Sequence, residues 1–327
     1  MATKVEPLNI LEIYDGPEEE LDFILPGMLT STVGILVGPG GVSKSYLALQ
    51  TAVSIALGRD IFHLWSDGDD LKQGRVVVLS LEDTKKVLRV RIRHVLRSAN
   101  LPRKDIIKIH AHLQVLPLFG HGVCIGEMDP KTKRIVTSEK IEDLENYCKG
   151  ALLTILDTFN RSLGGLDENS SGQMGPVLSI IEGICLRTET AFLIVHHTNK
   201  ASSNEDRDSD QTAVRGASAI TDNARWQTNL STMKKKEADA RGMNTEEGEH
   251  KKWVKVDLAK VNYGPPIETR WLYRGDKGVL NGWDKPPLLE LPVNNRATKT
   301  NAKTNGSRTQ PSSAKSSSTG GYKVAPT

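Results

Sequence analysis

Between residues 32 and 57 the chain changes from an apolar strand through a glycine-rich loop to a helix without interruption. The three pieces are Thr32-Val-Gly-Ile-Leu-Val37, then Gly38-Pro-Gly-Gly-Val-Ser43, then a run from Lys44 closed by Gly58. In the last piece Leu47, Ala48, Ala52, Ile55 and Ala56 recur with a helical period. A strand-to-helix junction of this kind is the setting in which G-x-x-x-x-G-K-[ST] binds phosphate, and the chain carries that pattern with Ser43 in place of the second glycine. The backbone N–H groups of Gly40, Gly41, Val42, Ser43 and Lys44 are placed to cup phosphate oxygens. The helix N-terminus adds its positive dipole end. On this reading Lys44 neutralises the β and γ phosphates of ATP, and the Ser45 hydroxyl is a ligand for Mg2+. A Cβ at residue 43 is tolerable provided φ stays negative.

Other apolar segments alternate with helical ones. Arg75–Ser80 reads as a second buried strand, followed by Glu82-Asp83 and a basic helix over Thr84–Asn100. A short strand is expected at Ile106–His110, a hairpin around Met128–Ile135, and a helix over Glu139–Lys149. Ala151-Leu-Leu-Thr-Ile-Leu-Asp157 and Ala191-Phe-Leu-Ile-Val-His-His197 are strands separated by a helix over Gly175–Arg187. Near-continuous apolar strands alternating with helices imply an α/β fold with a mostly parallel sheet covered on both faces. Three later runs, around Arg225–Ser231, Trp253–Lys260 and Thr269–Arg274, read as antiparallel strands extending one edge. Residues 1–30 are expected to form an N-terminal arm, 31–293 the main domain, and 294–327 a disordered tail rich in Ser, Thr, Asn, Lys and Gly. Lys200–Gln211 is polar and aperiodic and reads as a mobile loop.

Charge narrows the possible partners. The chain carries a formal +3, but the six basic residues after Asn294 are matched by no acid, so the rest is slightly acidic. Any grip on a polyanion must then come from local patches or the tail. Cys124, Cys148 and Cys185 are scattered, which argues against a disulfide framework or a zinc site and for a reducing cytoplasm. No apolar run approaches the ~18 residues of a membrane span.

Further carboxylates, histidines and basic residues are candidates for chemistry. Glu82, at the end of a strand expected to adjoin the phosphate-loop strand, is placed to polarise an attacking water. Asp83 reads as a helix cap or a supporting group. Asp157 closes an apolar strand, as a magnesium-holding carboxylate does. His196 and His197 end the next strand, where one of them could contact the γ phosphate or both could be satisfied strand-end histidines. Arg215, Arg225 and Lys260 are late basic residues of the kind that reach a neighbour's γ phosphate, although a lone arginine is more often a surface charge. Lys234–Lys236 reads as a solvated helix face.

The set L-D-F-I-L-P-G-M, G-P-G-G-V-S-K-S, S-L-E-D, T-I-L-D-T, I-V-H-H-T, V-R-G-A-S-A-I-T-D-N-A-R-W-Q and L-A-K-V-N-Y-G resembles the plasmid RepA-type replicative helicases. The likeness runs from about Asn9 to Leu280. It implies a RecA-like P-loop core, a homohexameric ring, and ATP-driven movement on single-stranded DNA during plasmid or mobile-element replication, with primase and initiator proteins as further partners. Carried over by position, Lys44 and Ser45 match the phosphate-binding pair, Glu82 the catalytic glutamate and Asp157 the magnesium aspartate. His197 matches the γ-phosphate sensor, and Arg225 the arginine finger given to the next subunit. The segment Thr198–Arg215 falls where such rings line their DNA channel. Two rival functions stay open on the residues: an ATP-hydrolysing regulator or recombination mediator without unwinding activity, and a non-catalytic DNA-binding scaffold with a degenerate nucleotide site.

Overall fold

The computed structural model describes residues 6–65, 70–197, 218–264 and 267–283. The expected mobile loop, the channel segment after Thr198 with Arg215, and the basic tail lie outside the described residues.

In chain order the strands are β1 (Phe23–Leu25), β2 (Met28–Leu29), β3 (Val33–Gly38), β4 (Val76–Ser80), β5 (Leu113–Pro117), β6 (Gly126–Met128), β7 (Ile135–Thr137), β8 (Leu153–Asp157), β9 (Ala191–His197), β10 (Trp226–Thr232), β11 (Trp253–Val261), β12 (Arg270–Arg274) and β13 (Leu280–Trp283). The α-helices are α1 (Ile10–Asp15), α2 (Lys44–Leu57), α3 (Lys85–Ser98), α4 (Arg103–His112), α5 (Ile141–Cys148), α6 (Ser171–Thr188), α7 (Ser218–Asn223) and α8 (Lys235–Ala240).

Nine strands form one sheet in the order β13-β12-β11-β10-β3-β9-β8-β4-β5. Successive side chains on each central strand point to opposite faces, and each face has its own core. Leu36, Val76, Val78, Ile155, Leu193 and Val195 pack under α2, α3 and α4. Val37, Val77, Leu79, Leu156, Phe192 and Ile194 pack under α5, α6 and α7. Both faces being apolar is what made these strands read as unbroken hydrophobic runs. Gly58, with φ 81°, ends α2 in the left-handed conformation that glycine adopts without steric cost.

Four expectations need correction. First, Ile106–His110 is not a strand but part of α4, and the strand follows at β5. Ile106 and Ile109 fall three apart, so one helical face carries both into the α2 core. Second, the late strands are not all antiparallel, because β10 pairs in parallel with β3 and only β11, β12 and β13 alternate. Third, β4 does not adjoin β3, since β9 and β8 lie between them. Fourth, residues read as the end of an arm belong to the core: β1 pairs with β2, and Ile24, Leu25 and Met28 are buried with α2 and Trp226. Upstream of them Leu8, Ile10, Leu11, Ile13 and Tyr14 are all exposed. The expected hairpin near Met128 is present as β6 and β7.

Candidate nucleotide site

The parallel strands end level with one another, and that alignment builds the site. Gly38 stands opposite His197, and Ser80 opposite Asp157, so the loop after β3 and the ends of β9, β8 and β4 share one edge of the sheet. They enclose a cavity of about 300 Å3 lined by Gly41, Ser43, Lys44, Ser45, Tyr46, Glu82, Arg91, Asp157, Thr158 and His197. A larger groove, about 1200 Å3, lies between α3 and α4, and its lining is basic and apolar without a carboxylate.

Gly38 must be glycine for reasons of space. A Cβ there would lie 2.8 Å from the Leu230 carbonyl oxygen and 2.9 Å from Cγ1 of Val42. Val42 is buried and anchors the loop to the core. Ser43 is the departure that matters. Its φ is 79°, so the condition of a negative φ is not met. A left-handed L-residue costs roughly 1–2 kcal/mol, a strain that glycine would not carry.

Lys44 is buried at 6% exposure, with its ammonium 2.7 Å from the Gly38 oxygen, 2.8 Å from the Pro39 oxygen and 3.4 Å from Nδ1 of His197. Burial lowers its pKa to about 8, and the carboxylates of Asp157 and Glu82 oppose the shift. Asp157 is 6% exposed. Burial raises its pKa to about 6; a hydrogen bond from the Ser45 side chain works the other way, and nearby Glu82 and Asp83 add to the rise. Among the described residues its Oδ1 is buried without a hydrogen-bond partner. A hard cation satisfies such an oxygen, and the Asp157–Ser45 oxygen pair is the donor set that magnesium takes.

Glu82 reaches this edge although its strand is three places from β3. It accepts a hydrogen bond from Thr158 Oγ1 at 2.9 Å, and Nε of Arg161 lies 3.9 Å away. Asp83 does not cap α3, whose N-cap is Thr84; it pairs with Arg91 instead. The Arg91 guanidinium lies 5.7 Å over the Tyr46 ring, whose hydroxyl is 3.2 Å from Nδ1 of His94. The two histidines separate cleanly. His196 is fully buried edge-on against Phe159, whereas His197 faces the loop.

Arg225 is exposed and lies elsewhere. It precedes β10, whose first residue Trp226 pairs with Gly34 near the start of β3. Some 16 Å of sheet, at about 3.3 Å per residue, therefore separate Arg225 from the level of the phosphate loop. Lys260 lies beside it, donating to the carbonyls of Thr221 at 2.9 Å and Asp222 at 3.0 Å. Burial and then the Arg225 charge push the Lys260 pKa down. Lys234 is the N-cap of α8, which begins with Lys235 and Lys236 shortly after β10 ends.

Thr158, Arg91, Tyr46 and Arg274 were not singled out from sequence. Thr158 carried a signal, since it follows Asp157 directly at a strand end. Arg274 carried none, standing far along the chain from the loop it touches.

Comparison with known proteins bears on the family and the fold. Residues 3–203 match the family model described as the AAA domain. The fold is similar to the ATPase domain of G40P, with TM-score 0.50 and 14% identity over 78% of this chain and 85% of that one. It is also similar to a DnaB-like replicative helicase studied for its interactions with primase, with TM-score 0.50 and 13% identity. That match covers 77% of this chain but just 57% of the helicase. Among the described residues no helix is long and apolar enough to cross a membrane. A phosphate loop, a buried carboxylate beside its serine and a sheet of this order together identify a P-loop ATPase, and the chain belongs to the AAA domain family.

Proposed function

We propose that the chain is an ATP-driven motor that works on single-stranded DNA as a ring of identical copies, a replicative helicase of the plasmid or mobile-element kind. The observation that carries this reading is the separation of Arg225 from the phosphate loop at opposite edges of one sheet. An arginine so placed is too far from its own chain's phosphate loop to complete that site, and its exposure leaves it open to a neighbour's. Closed heterologous contacts of this type generate rings, for which a homohexamer is the proposed form.

Within one copy the roles follow from position. Gly38, Gly40, Gly41, Val42 and Ser43 form the cradle, and Lys44 sets its charge against the terminal phosphates. Glu82, held by Thr158, takes the proton of the attacking water. Asp157 and Ser45 would hold magnesium, which when bound neutralises charge that develops on the phosphates. His197, in reach of Lys44, is placed to register the γ phosphate. Arg225 of the adjoining copy supplies the last positive charge. Primase, which the similar helicase was studied with, and initiator proteins are the further partners of this reading. A cytoplasmic location fits this work.

The test uses mixed assemblies. Arg225→Ala should lower DNA-stimulated ATP turnover by about 10^3-fold or more while nucleotide binding stays near wild type. Adding mutant to wild type should reduce turnover more steeply than its fraction. Strictly proportional loss would remove the shared site. Displacement of a strand annealed beside a 5′ tail then separates a helicase from an ATPase that does not unwind.

A further inference from the structure

Arg274 is the last residue of β12, and its guanidinium reaches across to the phosphate loop. Nη1 donates to the Gly41 carbonyl at 2.7 Å and lies 3.5 Å from Ser43 Oγ. Nη2 donates to the Lys251 carbonyl at 2.5 Å, just ahead of β11. One planar fork therefore ties the loop to the antiparallel extension of the sheet, a geometry that a lysine ammonium cannot copy.

The contact falls where the loop needs holding. Gly41 and Ser43 are both left-handed, each with φ 79°. Glycine accepts that conformation freely, whereas serine does not. In a trans peptide the carbonyl and the following N–H point in opposite directions. Fixing the Gly41 oxygen toward β12 therefore fixes the Val42 N–H on the other side of the loop, away from Arg274.

We propose that Arg274 is a positioning residue for nucleotide binding, holding the phosphate loop in the strained shape that Ser43 does not keep unaided. The proposal rests on the nucleotide-site reading and adds to it a reason why serine is tolerated at this position. The arginine acts through the loop backbone rather than on the phosphates.

The experiment is a double-mutant cycle on the full chain, with a fluorescent ATP analogue and magnesium as the probe. Arg274→Lys keeps the charge but loses the fork, and should weaken binding about tenfold, the scale of one charge-assisted hydrogen bond. KM for ATP should rise by the same factor, with a smaller change in kcat. Combined with Ser43→Gly, the same substitution should weaken binding no more than about threefold, because the glycine removes the strain that the fork opposes. Thermal unfolding without nucleotide supplies a second readout: Arg274→Lys should lower Tm more in the natural background than beside Ser43→Gly. Wild-type-like binding by Arg274→Lys, with loss only in Arg274→Ala, would show plain charge attraction and overturn the proposal. Equal losses in both backgrounds would overturn it too. Failure of the wild type to bind nucleotide would sink the nucleotide-site reading instead, leaving the unfolding cycle to decide whether Arg274 holds the loop.

Discussion

The two edges of the sheet are built on opposite principles. At the edge after β3, β9, β8 and β4, charged groups are buried and crowded: Lys44 and Asp157 are both shifted away from their charged forms, and Ser43 is strained. At the other edge Arg225 is exposed, and its neighbour Lys260 is spent on two backbone carbonyls. Burial makes charge expensive and therefore responsive to a ligand, while exposure leaves a cation free to meet another surface. The first edge is organised to receive something small and highly charged. The second is organised to be received. In the proposed ring the two meet, the second edge of one copy completing the first edge of the next.

The comparison is most exposed to failure at Glu82. Glu82→Gln removes the proposed general base but keeps the hydrogen bond from Thr158, so ATP turnover should fall by about 10^2–10^4 while nucleotide affinity holds. Turnover and binding measured on the same preparation decide it. Unchanged turnover would move the base elsewhere, with Asp83 poorly placed to replace it because it is already paired with Arg91.

Much of this edge was legible in the sequence because its signals are local. A glycine loop between a strand and a helix, and carboxylates or histidines at the ends of apolar runs, all lie within a few residues of the feature that betrays them. Sheet order is not local. Nothing near Glu82 says that β9 and β8 lie between β4 and β3, or that β10 joins β3 in parallel. Residues 106–110 misled for a different reason. Ile-Ile-Lys-Ile-His has the β-branched content of a strand, yet the contact available to it is a helical stripe against α2, and packing outweighed propensity. Arg274 was invisible because its meaning depends on a loop at the other end of the chain. The φ of Ser43 was framed in sequence only as a condition, and the structure answered it unfavourably.

A smaller effect should appear in stability without any ligand. The folded Asp157 pKa, about 6, lies above the unfolded value near 3.8, so the folded state holds a proton that the unfolded state has released between those values. Its contribution to stability is full below the unfolded pKa and is lost as pH rises through about 6. Asp157→Asn should therefore be more stable than the wild type at pH 7.5 by about 1–3 kcal/mol, seen as a Tm higher by several degrees, and the gain should vanish near pH 4. Arg225→Ala, at the exposed edge, should leave Tm within about 1 °C. Equal stability of Asp157→Asn and wild type at both pH values would mean that the first edge is not strained, and the contrast would lose its basis.

The smallest expected effect concerns Lys260, and it asks whether the second edge is a positioned surface or merely a basic one. Lys260→Met deletes both bonds to the last turn of α7 and loosens the backbone just before Arg225, without touching the phosphate loop. Turnover of the assembled protein should fall about three- to tenfold, the scale of one net hydrogen bond, and nucleotide binding should not change. The fall should disappear in an Arg225→Ala background, since there is then no arginine left to position. A full additional loss in that background would give Lys260 a role of its own at the neighbour's phosphates. A tenfold loss of nucleotide affinity would place Lys260 in its own chain's site, which the parallel pairing of β10 with β3 forbids, and the two-edge comparison would have to be abandoned.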